Sequence, residues 1–450
     1  MAATTQPKAK SKARAKSAPT DVTLRSYNVG FGDCFLLTFH YTGFNRHVLI
    51  DFGSTRAPKG KVMKAHMLAI AKQIEDDCEG KLHALVVTHR HKDHISGFAY
   101  SGGKGPGAVI RRLDPDLVIQ PWTEDPKAHR NAKHAVANMR NGHPKATLQH
   151  IAALEDMNEF AGYVVSASKR LRGNHLKATR EQLAFLGDDN ELTNRDAITN
   201  LMTMGKRKRY VYFGAKSGLE SVLPGVVTTV LGPPTLKQEP GIASQRARDP
   251  DQFWMQLAGR AEFWAQHGQI ARHALATEAT LFPAYVEKRH PWDMRWYRYQ
   301  AQREQADNLL SIVRTLDSAM NNTSVVLLFE AGGKSLLFPG DAQYENWMYA
   351  LSHPKIVARL AKVDLYKVGH HGSLNATPKD LWNGFAARGT KTKKGRLTSV
   401  LSTLAGVHGS EKAGTEVPRD PLVTALTKES NLCDTRTLAD HEPVITTLKL

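Results

Sequence analysis

The stretch Leu85 to Gly97, LVVTHRHKDHISG, sets an apolar run of strand character directly against three histidines and an aspartate within six positions. A buried strand that ends this way belongs at the rim of a sheet, because buried polar groups need partners and this set offers a way to share them. His89 and His91 are two positions apart, so on extended backbone both imidazoles point the same way and can reach one ion. Asp93 and His94 sit where the chain turns towards a helix expected to begin near Ile95, and can address a second ion beside the first. Imidazole and carboxylate together suit Zn²⁺, or Mn²⁺ and Fe²⁺ with more oxygen donation.

The neighbouring pattern predicts what kind of fold presents such a rim. From Asp21 come the short β-rich runs VTLRSYNVG, CFLLTFHY and HVLIDFG, then the helical KVMKAHMLAIAKQIEDD and the strand LHALVVTH. DLVIQPW, KRYVYFG and GVVTTVLGPP read as further strands. TSVVLLFEAGG, KSLLFPGDA, VDLYKVGHHGS and LTSVLSTLAG resume the pattern in the C-terminal third. Helical material at about 126–204 and 235–314 interrupts these blocks and reads as insertions. Two β-rich blocks of this kind predict a sheet-on-sheet core flanked by helices.

At 450 residues and 41% hydrophobic content, the chain can bury a substantial core, as one large domain with insertions or as two or three smaller ones. No apolar run approaches the roughly 18–20 residues that span a bilayer. The first twenty residues, MAATTQPKAKSKARAKSAPT, lack the apolar core of a secretory signal and read as a disordered basic arm. Cys34, Cys78 and Cys433 are too few and too scattered for a disulfide framework or a thiolate metal site. A soluble, cytoplasmic protein is the expectation.

Lys and Arg outnumber Asp and Glu by 61 to 43, which draws the chain to polyanions such as nucleic acid. The runs Lys206 to Arg209 and Lys391 to Arg396 suit a phosphate backbone, or else form solvated faces. Trp292, Arg295, Trp296, Tyr297, Arg298 and Tyr299 suit stacking on unpaired bases, or else pack a helix.

His89-Arg90-His91-Lys92-Asp93-His94 resembles the HxHxDH motif of the metallo-β-lactamase fold, an αββα sandwich whose hydrolases use one or two metals at the sheet edges. More closely, YNVGFGDCFLLTF, HVLIDFGS, NNTSVVLLFEAGGKSLLFPGDA and LYKVGHHGSLNATP resemble, in the same order, blocks of the ComEC-type competence-protein hydrolase domain and its free-standing relatives. The likeness covers about 21–125, 209–234 and 307–425. It implies two divalent ions, Zn²⁺ or Mn²⁺, with His89 and His91 on the first and Asp93 and His94 on the second. Asp341 would bridge them through its two oxygens at a separation of roughly 3.5–4 Å. One of His370 and His371 would complete the second site, and Asp51 would orient the metal-site loop.

Asp93, where not fully engaged as a ligand, would orient water or accept its proton. Protonation of the leaving group falls to whichever of His371, His370 and His408 does not bind metal. Ser373 and Asn375 contact substrate or serve a turn. The histidine that this fold usually adds to the first site has no counterpart in the matching blocks, and after VIQPW the chain offers Thr123, Glu124 and Asp125 instead. The implied activity is a metal-dependent phosphodiesterase acting on DNA or RNA. The alternatives are hydrolysis of a cyclic nucleotide, small phosphoester or lactone, and nucleic-acid binding without catalysis around a structural metal.

Overall fold

The computed structural model describes residues 18–127, 195–239, 320–407, 416–438 and 442–450, with isolated positions between 134 and 306. Most of the basic arm, most of both helical insertions, most of the aromatic stretch around Trp292, and His408 lie outside the described residues.

Among the described residues the strands form a seven-stranded and a six-stranded sheet. The first contains β1 (Asp21–Ser26), β2 (Cys34–Tyr41), β3 (Phe44–Phe52), β4 (Ala84–Val86), β5 (Leu117–Pro121) and β6 (Lys208–Val211) in that order. The second contains β7 (Val227–Gly232), β8 (Val326–Ala331), β9 (Lys334–Phe338), β10 (Leu365–Lys367), β11 (Thr398–Leu401) and β12 (Asn431–Asp434). The last strand, β13 (Val444–Lys449), returns to the first sheet and pairs antiparallel with β1. Every run read as a strand contains one, while β12 and β13 had no counterpart in the sequence reading.

The strands are apolar on both faces because both faces are covered. In β2, Phe35, Leu37 and Phe39 point into a core shared with Leu327, Phe329 and Phe338 of the other sheet. The intervening Cys34 and Leu36 point the opposite way, onto helices. The first sheet's outer face carries α1 (Met63–Asp77), α3 (Pro106–Arg112) and α4 (Arg195–Thr203), with the single-turn α2 (Lys92–Ile95) at its rim. The second sheet's outer face carries α5 (Tyr344–Leu351), α6 (Pro354–Leu360), α7 (Lys379–Gly384) and α8 (Asp420–Glu429). Helices, sheet, sheet and helices thus form four layers, the mixed α/β arrangement expected from the strand pattern.

α1 buries Met67, Ile70, Ala71 and Ile74, the three-and-four spacing of an amphipathic helix. Within the span read as an insertion, residues 195–203 pack closely on the fold: Ala197, Ile198 and Leu201 of α4 lie in the same outer core as α1. The Asn200 amide also donates to the carbonyls of Phe98 and Gly107, at 2.8 and 3.1 Å. α4 is therefore part of the outer layer.

Parallel pairing fixes where the chemistry sits. β3, β4 and β5 run parallel to one another, as do β9, β10 and β11. Their C-terminal ends therefore leave each sheet at one rim, the usual place for sites in sheets of this kind.

Away from that rim, the His47 backbone N–H donates to His83 Nδ1 at 3.1 Å. Burial lowers both imidazoles from 6.5 to about 4. In the unfolded chain they take up protons near pH 6.5, in the folded protein only near 4, so stability is full above about 6.5 and falls as the pH drops towards about 4. His83→Asn keeps an acceptor for His47 and is expected to flatten the fall in Tm across that window. A pH series of thermal scans checks this, and a slope identical to wild type would contradict it.

Candidate metal centre

The charged groups at the rim lie at or beside strand ends. Asp51, the penultimate residue of β3, accepts from the Thr88 N–H at 2.7 Å and the Thr88 hydroxyl at 2.6 Å, and lies 2.8 Å from His94 Nδ1. That contact turns His94 Nε2 towards Asp341 Oδ2, 3.0 Å away and just past the end of β9. His371, beyond β10, places Nε2 at 2.7 Å from Asp93 Oδ2 while its Nδ1 sits 3.0 Å from the Ser402 carbonyl after β11. Asp93 and His94 from one sheet thus meet Asp341 and His371 from the other. One ligand atom from each lies within 4.8 Å of the rest, and all four residues are buried.

His89 and His91 stand beside this group. His89 Nε2 is 3.0 Å from His91 Nδ1, so the pair brings two nitrogens to one place, and the His89 ring is 4.1 Å from that of His94. Glu124, after β5, is buried with its carboxylate 3.8 Å from Arg90 Nε, which places one of the three residues offered for the absent histidine next to the HxH segment. His370 differs from its neighbour. Its ring is half-buried and outside the four-residue group, while its backbone N–H donates to Asp341 Oδ1 at 3.1 Å. Of the two histidines proposed for the second ion, the one in the cluster is His371.

Ser373 N–H closes a turn onto the His370 carbonyl at 2.9 Å, and Asn375 is exposed in the next turn. Neither belongs to the cluster. Asp51, His370 and His371 have φ of 55°, 43° and 51°, a left-handed conformation that costs non-glycine residues of order 1 kcal/mol each and persists where the surroundings enforce it.

Two members of the site escaped the sequence reading. Asp33 and Lys367 are 0% and 1% exposed, and the Lys367 ammonium lies directly against the Asp33 carboxylate. Asp33 also approaches His94 Nδ1 at 3.8 Å and His371 Nδ1 at 3.7 Å. The available signal was a charged residue inside otherwise apolar strand segments, GDCFLL and LYKV.

Electrostatics divides the histidines. Burial, reinforced by His94 and His91, holds His89 well below the usual imidazole range, which favours its neutral, metal-ligating form. Burial opposes charge on His94 too, but Asp341, Asp93 and Asp51 outweigh it and raise its pKa well above the ordinary value. His371 is raised against its burial by Asp341, Asp33 and Asp93. Asp341 and Asp93, which burial alone would raise, are lowered chiefly by His94. A cation entering here would replace the histidine protons as the positive charge facing these carboxylates, so its binding would be favoured by raising the pH.

Close backbone packing holds the clustered side chains in place. A Cβ on Gly53 would lie 2.5 Å from Asp93 C and His94 N, and one on Gly340 would lie 2.7 Å from Thr88 Cβ at a φ of 56°. Gly53→Ala is expected to push the Asp93–His94 turn aside, with a stability loss of roughly 1–3 kcal/mol and weaker metal binding. Denaturant unfolding and a metal titration check this. Wild-type values in both would show that the close approach is dispensable.

The basic runs are largely occupied within the protein. Lys206 pairs with Asp114 and Asp116 at 2.8 and 2.9 Å, and Lys208 donates to the Leu201 and Met204 carbonyls at 2.7 and 3.2 Å. Lys393 donates to the Ala386 and Arg388 carbonyls at 2.6 and 2.7 Å, and Arg396 to those of Gly389 and Lys428, both at 2.8 Å. These side chains brace loops. Among the described residues no helix is long and apolar enough to cross a membrane.

The fold and the cluster define a four-layer α/β protein with a buried His/Asp centre whose donors suit a divalent ion. Comparison of the chain with protein-family models and with curated proteins gives no match.

Proposed function

We propose that this chain is a metal-dependent hydrolase of the metallo-β-lactamase fold, resembling the ComEC-type hydrolase domain, and that it cleaves phosphodiesters. The supporting observation is the convergence of Asp93, His94, Asp341 and His371 from two sheets onto one buried cluster beside the His89–His91 pair. The donor set fits two Zn²⁺ or Mn²⁺ ions: two nitrogens from His89 and His91 for one, Asp93, His94 and His371 for the other, with Asp341 shared. The ions would supply Lewis acidity to an ester and to water. Asp51 fixes His94 through its Nδ1, and the Ser402 carbonyl fixes His371 through its Nδ1, which leaves both Nε2 atoms to the centre. His370, outside the cluster, would be the histidine that protonates a leaving group. The free thiols Cys34, Cys78 and Cys433 suit a reducing cytoplasm.

The formal charge of +18 favours DNA or RNA as substrate. The internal engagement of Lys206, Lys208, Lys393 and Arg396 supports a second reading, a small phosphoester or cyclic nucleotide that needs no long cationic track. Protein loaded with Mn²⁺ or Zn²⁺ would be offered labelled single- and double-stranded DNA and RNA, a cyclic dinucleotide and a bis-aryl phosphate. Polynucleotide cleavage supports the first reading, and turnover of the small esters alone supports the second. A folded, metal-loaded protein that hydrolyses none of them overturns the hydrolase reading and leaves a structural metal.

A further inference from the structure

We infer that Lys367 is a built-in cation of the metal centre: its ammonium, clamped by Asp33, anchors one oxygen of Asp341 and would leave the other to a bound ion. The inference rests on the metal-centre reading above. Lys367 is 1% exposed, in surroundings where an unpaired ammonium is strongly unfavourable. Its Nζ lies against the Asp33 carboxylate, 3.2 Å from the Gly340 carbonyl and 3.5 Å from Asp341 Oδ1. The Phe35 ring, with its centroid 5.7 Å from Nζ, closes another side.

The two oxygens of Asp341 therefore have separate duties. Oδ1 is held by Lys367 and by the His370 N–H at 3.1 Å. Oδ2 faces His94 Nε2 at 3.0 Å and His371 Nε2 at 3.8 Å. The family resemblance implies that both oxygens would serve bound ions, whereas here Oδ2 would be the one left to do so. Asp33 has a different part. With Asp51 and His94 it forms a second group of potential ligands within 4.8 Å of one another. The lysine ammonium supplies that group with the positive charge an ion would otherwise bring. Lys367 is thus a positioning residue, acting on the metal through Asp341.

The test is Lys367→Met in the full chain, read by Mn²⁺ affinity and by the visible spectrum of the Co²⁺-loaded protein. Removing a unit charge beside a ligand oxygen, and freeing Oδ1, is expected to tighten Mn²⁺ binding by about tenfold or more and to change the position and intensity of the Co²⁺ bands. The gain in Tm on metal loading should also exceed that of wild type, because the ion now supplies the missing charge. Where the unpaired Asp33 carboxylate prevents folding, Lys367→Met/Asp33→Asn restores charge balance and should still alter the Co²⁺ spectrum. A folded variant with unchanged Mn²⁺ affinity and superimposable Co²⁺ spectra reduces Lys367 to a core ion pair and overturns the inference. A wild-type protein that binds neither Mn²⁺ nor Co²⁺ overturns the metal-centre reading as well.

Discussion

Asp341→Asn is expected to leave the protein folded and to weaken its metal binding by at least about 100-fold, since losing a partner that merely orients a ligand already costs roughly 10–100-fold. Turnover should be lost with the metal. The amide keeps the shape of the carboxyl and an oxygen able to accept from Lys367 and from the His370 N–H, so the architecture around Oδ1 survives. What disappears is the negative charge that faces His94 and His371. Metal titration with a competing chelator measures the change, and circular dichroism reports whether the variant is folded. If a folded variant binds metal as tightly as wild type, Asp341 is a turn residue after Pro339-Gly340 and nothing more.

Asp51→Ala is expected to act on stability before chemistry. The carboxylate accepts from both donors of Thr88 and contacts His94, all within 2.8 Å and in a setting 1% exposed to solvent. Deleting it takes a partner from a buried N–H, a hydroxyl and an imidazole whose protonated form the surrounding carboxylates favour. Breaking a buried charged pair in this way costs roughly 3–5 kcal/mol. The chelator-treated variant should show this loss in denaturant unfolding, and metal binding should weaken because His94 is no longer held. A loss below about 1 kcal/mol, the size of one ordinary hydrogen bond, would mean that Thr88 and His94 find other partners.

The fold was legible where burial imposes a pattern on consecutive residues. β2 and β8 lie apolar on both faces between a sheet and a helix layer, so CFLLTFHY and VLLFEA read as strands without their neighbours. β13 reads i-e-i-e-i-e in burial, and VITTLK at a sheet edge has little apolar contrast to reveal it. β12 is four residues long with a single strongly apolar side chain, and its pairing with β11 is fixed by tertiary structure.

The same contrast governs the site. His89, His91, Asp93 and His94 are close in sequence and announce themselves, while Asp341 and His371 needed a family resemblance to be linked to them. Asp33 and Lys367 lie far apart in the chain, and only the meeting of β2's entry with β10's end brings them together. Composition misled in one respect. A basic run signals solvated charge, yet Lys208 is mostly buried, with its pKa lowered by that burial to about 8, and its ammonium caps the carbonyls at the end of α4.

The claim on which the rest depends is that the strand ends of two sheets build one metal centre. Anomalous diffraction from crystals grown with Mn²⁺ or Zn²⁺ tests it directly. The predicted result is anomalous density within about 2.0–2.2 Å of Asp93, His94 Nε2, Asp341 Oδ2 and His371 Nε2, with a neighbouring peak on His89 Nε2 and His91 Nδ1. Density elsewhere, or none at this cluster in a protein otherwise shown to be intact, would contradict the account.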